Sequence, residues 1–307
     1  MNSILDEFKY AFQRPNNGLM KILVINVVVF LVLIVIRVIA TFSGASEIYE
    51  FVLRQLMLPA ALDDFILKPW TLVTYFFTHE GFFHILFNLL FLYWFGSMIM
   101  EFLGSQKFVN LYVLGGLAGG LFYILLYNTL PYFAQQVEVS RMLGASAGVY
   151  AIVVGAATFM PNYTISLILL GPVRIKYIAI FYVVLSFAQA AGPNAGGELA
   201  HLAGAALGFV YIKQLQSGND LGKPLASFFS FVKSLFVPQP KVKVSYRNEG
   251  SRRKSSKSSS GSSRKSKDNN VQTRQDEIDA ILDKISESGY DSLTKEEKKK
   301  LFDASKS

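Results

Sequence analysis

Residues 79–100 read His79-Glu-Gly-Phe-Phe-His84-Ile-Leu-Phe-Asn88-Leu-Leu-Phe-Leu-Tyr-Trp-Phe-Gly-Ser-Met-Ile-Met100. Glu80 is the only carboxylate, and there is no Lys or Arg. The run has the ~20 residues that a helix needs to cross the hydrocarbon of a bilayer. Yet His79, His84 and Asn88 all fall in its first half. Polar and ionisable groups at such depth are costly, and by default they mark function. The stretch therefore sets two expectations: a spanning helix, and a polar site near one end of it.

Five further apolar blocks occur at 20–42, 108–128, 142–160, 175–191 and 199–215. The fifth is short, as a tilted helix or one buried by its neighbours can be. Of 307 residues, 51% are hydrophobic, 14% aromatic and only 17% charged. The mean hydropathy is +0.34. A soluble domain of this size cannot hide so much apolar surface, so the bilayer is the expected solvent. Residues 20–42 exceed a signal-peptide core and contain Arg37, so they are read as a retained helix. With no cysteine in the chain, disulfides, thiolate zinc sites and a cysteine nucleophile are excluded.

The net charge of +8 belongs to one segment. Residues 1–240 carry 13 Lys/Arg against 11 Asp/Glu, residues 241–275 carry 11 against 2, and residues 276–307 carry 6 against 9. This localised charge gives no reason to expect a nucleic-acid partner. Five regions follow. Residues 1–19 form an N-terminal cytoplasmic segment and 20–216 a six-helix membrane domain. Residues 217–240 form an interfacial amphipathic segment, with Phe228, Phe229, Phe231, Leu235 and Phe236 beside Lys233. Residues 241–275 form a basic Ser/Lys-rich disordered linker, too poor in apolar residues to fold and suited to anionic lipid headgroups. Residues 276–307 form a small helical hairpin: Ile278, Ile281, Leu282 and Ile285 share a face, Gly289 stops the first helix, and Thr294 to Glu297 is a capping box for a second, toward Leu301 and Phe302. The long loop 43–78 is apolar enough to lie in the membrane interface.

Loop charge sets the topology. With a cytoplasmic N-terminus, Lys9, Arg14, Lys21, Lys107, Arg174, Lys176, Lys213 and the basic tail lie inside, and only Arg54, Lys68 and Arg141 lie outside. Six helices return the C-terminus to the cytoplasm. The second, fourth and sixth blocks then all run from outside to inside, so their N-terminal ends share one depth. The fourth opens Leu143-Gly144-Ala-Ser146-Ala-Gly148-Val-Tyr150, and the sixth opens Glu198-Leu-Ala-His201-Leu-Ala-Gly204-Ala-Ala-Leu-Gly208. Ser146, His201, His84 and Asn88 can therefore meet near the outer surface.

Their chemistry is complementary. A serine becomes a nucleophile when a base lies in hydrogen-bond reach, and His201 is that base. Acyl transfer needs donors aimed at an oxyanion. His84 and Asn88, about 40° apart on a helical wheel, share a face for this, and the Ser146 backbone N–H is a third donor. His79, about 140° round from His84, is expected to hold the outer loop. Tyr150, one turn after Ser146, is placed to pack in the core or on His201. The pairs Gly144/Gly148 and Gly204/Gly208 are read as small-residue faces for close helix contact. No carboxylate lies below Glu198 on the fourth or sixth block, so a Ser-His dyad is the economical reading.

These residues resemble the rhomboid family of intramembrane serine proteases. The matching stretches are Trp70 to His79, His79-x4-His84-x3-Asn88, Gly144-Ala-Ser146, and Ala200-His201-x2-Gly204-x3-Gly208, spread across about residues 20–216. The resemblance implies an all-α membrane protein: a six-transmembrane-helix rhomboid-like bundle with a cytoplasmic C-terminal tail and a water-filled cavity open to the outer face. It implies Ser146 as nucleophile, His201 as general base, and His84, Asn88 and the Ser146 N–H as oxyanion hole. It further implies single-pass transmembrane proteins as substrates, and no cofactor or metal. The chain departs from the family pattern at Thr71, where arginine often follows Trp70, and at Ala147, where glycine usually follows the serine. The expected location is a bacterial plasma membrane.

Three alternatives remain. One is a catalytically inactive rhomboid-like protein that binds membrane clients. Another is a metalloprotease built on His79-Glu80, which would need His-Glu-x-x-His where position 83 is Phe. The third is a transporter, which would need repeats or broken helices.

Overall fold

Each of the six apolar blocks holds a helix in a computed structural model of the chain, which describes residues 16–167 and 171–236 and scattered positions between 279 and 300. Most of segment 1–19, all of 241–275, and Ile278, Leu282, Ile285, Gly289, Leu301 and Phe302 lie outside the described residues. The chain divides into two compact units, Met1–Pro240 and Lys241–Ser307.

The first block forms α1 (Gly18–Phe42). The long loop after it is largely helical, with α2 (Ser46–Leu56), β1 (Leu58–Pro59), α3 (Leu62–Leu67), α4 (Thr71–Thr74) and a 3-10 turn at Tyr75–Phe77. Helix α2 is amphipathic. Tyr49 and Leu53 pack on Leu33 and Ala40 of α1, while Ile48 and Phe51 stay exposed. The loop is stapled by its own polar side chains: Trp70 Nε1 donates to the Gln55 carbonyl (2.9 Å) and Thr74 Oγ1 to the Leu56 carbonyl (2.8 Å). Thr71, in the departing position, is buried and donates to the Lys68 carbonyl (2.6 Å). The loop is thus anchored without an arginine after Trp70.

The second and third blocks form α5 (Phe82–Leu103) and α6 (Ser105–Thr129), turning at Gly104, whose φ of +82° favours glycine. The fourth block behaves differently from the sequence expectation. Residues 141–142 are extended as β2 (Arg141–Met142), paired antiparallel with β1. Helix α7 (Ser146–Phe159) begins only at the serine. Its 14 residues rise about 21 Å, short of the ~30 Å hydrocarbon thickness. Non-helical backbone at such depth is tolerated where protein covers it or a polar cavity borders it. Both conditions hold here: Met142 and Ala145 are buried, and Gly144 N–H donates to the Tyr75 carbonyl (2.9 Å).

After an antiparallel pair, β3 (Thr164–Leu167) and β4 (Gly171–Arg174), come α8 (Ile175–Gln189), also short, and α9 (Ala195–Gln216). Of the described helices, α1, α5, α6 and α9 are long and apolar enough to cross a membrane. The amphipathic segment forms α10 (Lys223–Phe236), with Phe228 and Phe231 exposed. The turn before α10 is held to α6 by a Lys107–Asp220 ion pair and by Asn110 donating to the Gly222 carbonyl (3.1 Å). Burial acts to raise the Asp220 carboxyl, but the Lys107 ammonium and the Gly222 N–H outweigh it and hold it below its ordinary value.

Helix α7 is the hub, packed against α9, α6, α5 and α8. It sits so close because glycines face it. A Cβ on Gly204 or Gly208 of α9 would collide with the Ala147 or Ala151 carbonyl, and one on Gly115 of α6 with the Ala151 side chain. The expected Gly204/Gly208 face is therefore real. The expected Gly144/Gly148 face is not. Gly144 precedes the helix at φ +115°, and Gly148 packs on Tyr112 of α6. The pairing of β1 with β2 pulls residue 144 out of helical register.

In the second unit, Ile281 and Leu293 are buried. The capping box forms as expected. Thr294 N–H donates to Glu297 Oε2 (2.7 Å), and Glu297 N–H donates back to Thr294 Oγ1 (3.3 Å).

Candidate active site

Ser146 is the first residue of α7, so its backbone N–H has no partner within the helix. His201 lies on the second turn of α9, on the face whose Gly204 abuts Ala147. That contact brings His201 Nε2 to 2.6 Å from Ser146 Oγ. Tyr150, one turn below Ser146, stacks on the imidazole with centroids 4.5 Å apart and planes 11° from parallel. Of its two expected places, Tyr150 takes the one on His201.

Three helices hold the imidazole. Its Nδ1 is 3.2 Å from Glu198 Oε2, one turn earlier on α9. It is also 3.2 Å from Ser186 Oγ on α8, and Ser186 lies 2.8 Å from the Tyr150 hydroxyl. Glu198 and Ser186 were missed by the sequence reading. The i, i+3 spacing of Glu198 and His201 is a legible signal, but a third member was sought only below Glu198 on the fourth and sixth blocks. Ser186 had no signal, since nothing in a lone serine of an apolar run tells which neighbour it faces.

His84 and Asn88 sit on α5 as expected. The His84 ring lies against Gly144, where a Cβ would overlap it. Gly144 thus serves the site through its lack of a side chain and its positive φ. Asn88 is 7% exposed, and one N–H of its amide donates to the His84 carbonyl (2.9 Å), leaving the second for another acceptor. His79 precedes α5 and is 1% exposed. Its Nε2 accepts the Ala145 N–H (3.2 Å), and its ring meets His84 edge-on at 5.0 Å. Burial, and then the neighbouring His84, push His79 down to about 3, so it is neutral at physiological pH. It positions the backbone ahead of Ser146. Ala147 fits because the facing residue of α6 is Gly119, on which a Cβ would come within 2.5 Å of the Ala147 Cβ.

A cavity of about 550 Å³ is lined by Ser146, His201, His84, Gly144, Arg141 and Tyr123 among others. A second, apolar one of about 300 Å³ between α5, α7 and α8 includes Phe83, Phe87, Phe91 and Tyr182, and shares His84 with the first. Among the described residues, no group of three or more His, Asp or Glu is arranged to hold a metal ion. The polar cavity thus brings together a serine hydroxyl hydrogen-bonded to an imidazole and the His84 ring, while Asn88 lines the apolar cavity beside it; a hydroxyl with a base in hydrogen-bond reach is an arrangement capable of acyl transfer.

A helical bundle with this hydropathy is an integral membrane protein. Residues 67–217 match the rhomboid domain family, and the chain belongs to the rhomboid family. It is 30% identical over 182 residues to RHOMBOID-like protein 12, mitochondrial, of Arabidopsis thaliana, covering 55% of this chain and 53% of that protein. It is 25% identical over 207 residues to Rhomboid protein 1, mitochondrial, of Saccharomyces cerevisiae, covering 66% and 55%. The chain spans about half the length of these curated relatives. Residues 268–307 match a family of unknown function, DUF6576.

Proposed function

We propose that the protein is an intramembrane serine endopeptidase that hydrolyses peptide bonds in or beside transmembrane segments of other membrane proteins. The observation that carries the reading is the 2.6 Å contact between His201 Nε2 and Ser146 Oγ at the polar cavity. Ser146 Oγ attacks the scissile carbonyl carbon as its proton passes to Nε2. The carbonyl oxygen takes the negative charge, met by the Ser146 N–H and by donors from His84 and Asn88. Collapse breaks the C–N bond, and the Nε2 proton goes to the leaving amine. Water then repeats the sequence on the acyl-enzyme, freeing Ser146.

The finer placement follows from loop charge. In this reading six helices leave both termini cytoplasmic and the cavity open to the outer face; the lack of cysteine and the loop pattern support a bacterial plasma membrane, and the basic charge of 241–275 supports anionic lipid as a partner. The substrates are single-pass membrane proteins. The mitochondrial names of the two relatives speak for those proteins.

Cleavage of a generic single-pass substrate in proteoliposomes tests this. Ser146→Ala and His201→Ala are each expected to lower kcat by at least about a thousandfold, while a chelator leaves the wild type unchanged. A folded wild type that neither cuts nor reacts with a fluorophosphonate would favour the client-binding reading instead.

A further inference from the structure

Resting on the endopeptidase reading, we infer that Glu198 is the positioning residue of a Ser146–His201–Glu198 relay, so that the site is a triad and not a dyad. Both nitrogens of the imidazole are engaged in series, Nε2 on Ser146 Oγ at 2.6 Å and Nδ1 on Glu198 Oε2 at 3.2 Å. For Nε2 to accept the serine proton, the neutral ring must carry its own proton on Nδ1. An acceptor fixed at Nδ1 selects that tautomer. Ser186 Oγ, also 3.2 Å from Nδ1, can accept the same N–H but brings no charge. Only Glu198 stabilises the imidazolium that forms when Ser146 attacks.

The surroundings of the carboxylate support the role. Its side chain is 13% exposed, and among the described residues its ion-pair partner is His201. A largely buried carboxylate is costly unless it is paired and hydrogen-bonded. One set only by the α9 dipole would do as well on the solvent face of the first turn. Here it lies on the His201 face, at i, i+3. The ring itself is fixed by the stack of Tyr150, so the angle between Nδ1 and the carboxylate is held.

The proton balance is simple. Ser146 gives its proton to Nε2, and the Nδ1–H stays on the ring, donated to Glu198, which remains a carboxylate. The Nε2 proton leaves with the amine and the ring returns to neutral. Glu198 touches no reacting atom.

The test uses the full chain in proteoliposomes. It compares wild type, Glu198→Gln and Glu198→Asp by kcat, KM, the rate of Ser146 labelling by a fluorophosphonate, and melting temperature. Glu198→Gln is expected to lower kcat and the labelling rate by about ten- to a hundredfold with KM and melting temperature unchanged. A Gln variant with wild-type kcat and labelling overturns the triad, as does one whose only change is a lower melting temperature. If the Gln variant does not fold, Glu198→Asp decides, because it keeps the charge but draws it one methylene back from Nδ1. A several-fold lower kcat at the wild-type melting temperature supports the relay, and an unchanged kcat overturns it. A wild type inert in both assays overturns the endopeptidase reading itself, an outcome distinct from an active wild type matched by its Gln variant.

Discussion

At the scale of the residue, the site depends on neighbours that do no chemistry. His79 accepts the Ala145 N–H and so shapes the extended segment that presents Ser146. It is buried neutral, held down at about 3. Above pH ~6.5 the folded and unfolded chains both leave it neutral. As pH falls from there toward 3, the unfolded chain takes up a proton that the folded chain refuses, so stability declines. His79→Gln keeps an acceptor and removes the titration. Thermal melting of that variant between pH 7 and 4.5 is expected to fall less steeply than that of the wild type, and equal slopes would remove His79 as the titrating group. Ser146, His84, Asn88 and His201 were legible in the sequence, because each is a polar residue where an apolar run should have none. Glu198 is visible in the same stretch, three residues before His201, but spacing along one helix does not tell which ring nitrogen its carboxylate meets.

At the scale of the element, the site is held by helices that approach one another at backbone distance. Gly204 and Gly208 of α9 lie on the Ala147 and Ala151 carbonyls of α7. A carbonyl in a helix cannot retreat as a side-chain end can. Gly204→Ala is therefore expected to cost about 1–3 kcal/mol and to lower cleavage out of proportion, by drawing His201 off Ser146. Gly81→Ala, where a Cβ meets only ordinary contact, is the comparison and should stay within about 0.5 kcal/mol. Unfolding in mixed micelles and the cleavage rate measure both, and equal losses in the two variants would refute the packing argument. The sequence showed the α9 pair as a small-residue face, but not its partner. It also suggested a Gly144/Gly148 face that does not exist, because helical periodicity was carried back past Ser146 to Gly144, which precedes α7 with a φ of +115°.

At the scale of the whole molecule, residues 1–240 and 241–307 are separate compact units. The buried cluster around Phe95, Tyr112 and Ile152 lies within the first. A unit with its own core keeps its stability when a neighbour is removed. Deleting 241–307 is expected to shift melting of the membrane unit by less than about 2 °C and to leave substrate cleavage in detergent unchanged. A larger drop would assign the tail a stabilising role. The sequence by itself determined the membrane class, six apolar helices, the separation of the basic tail, and which polar residues stand inside the apolar runs. These follow from hydropathy and from the cost of polar groups in hydrocarbon, and both are local properties of the chain. The tertiary structure alone decided that α7 starts at Ser146, that Tyr150 stacks on His201, and that Ser186 and Glu198 share its Nδ1. Those depend on distances between helices far apart in sequence, set by where a missing Cβ lets two backbones touch.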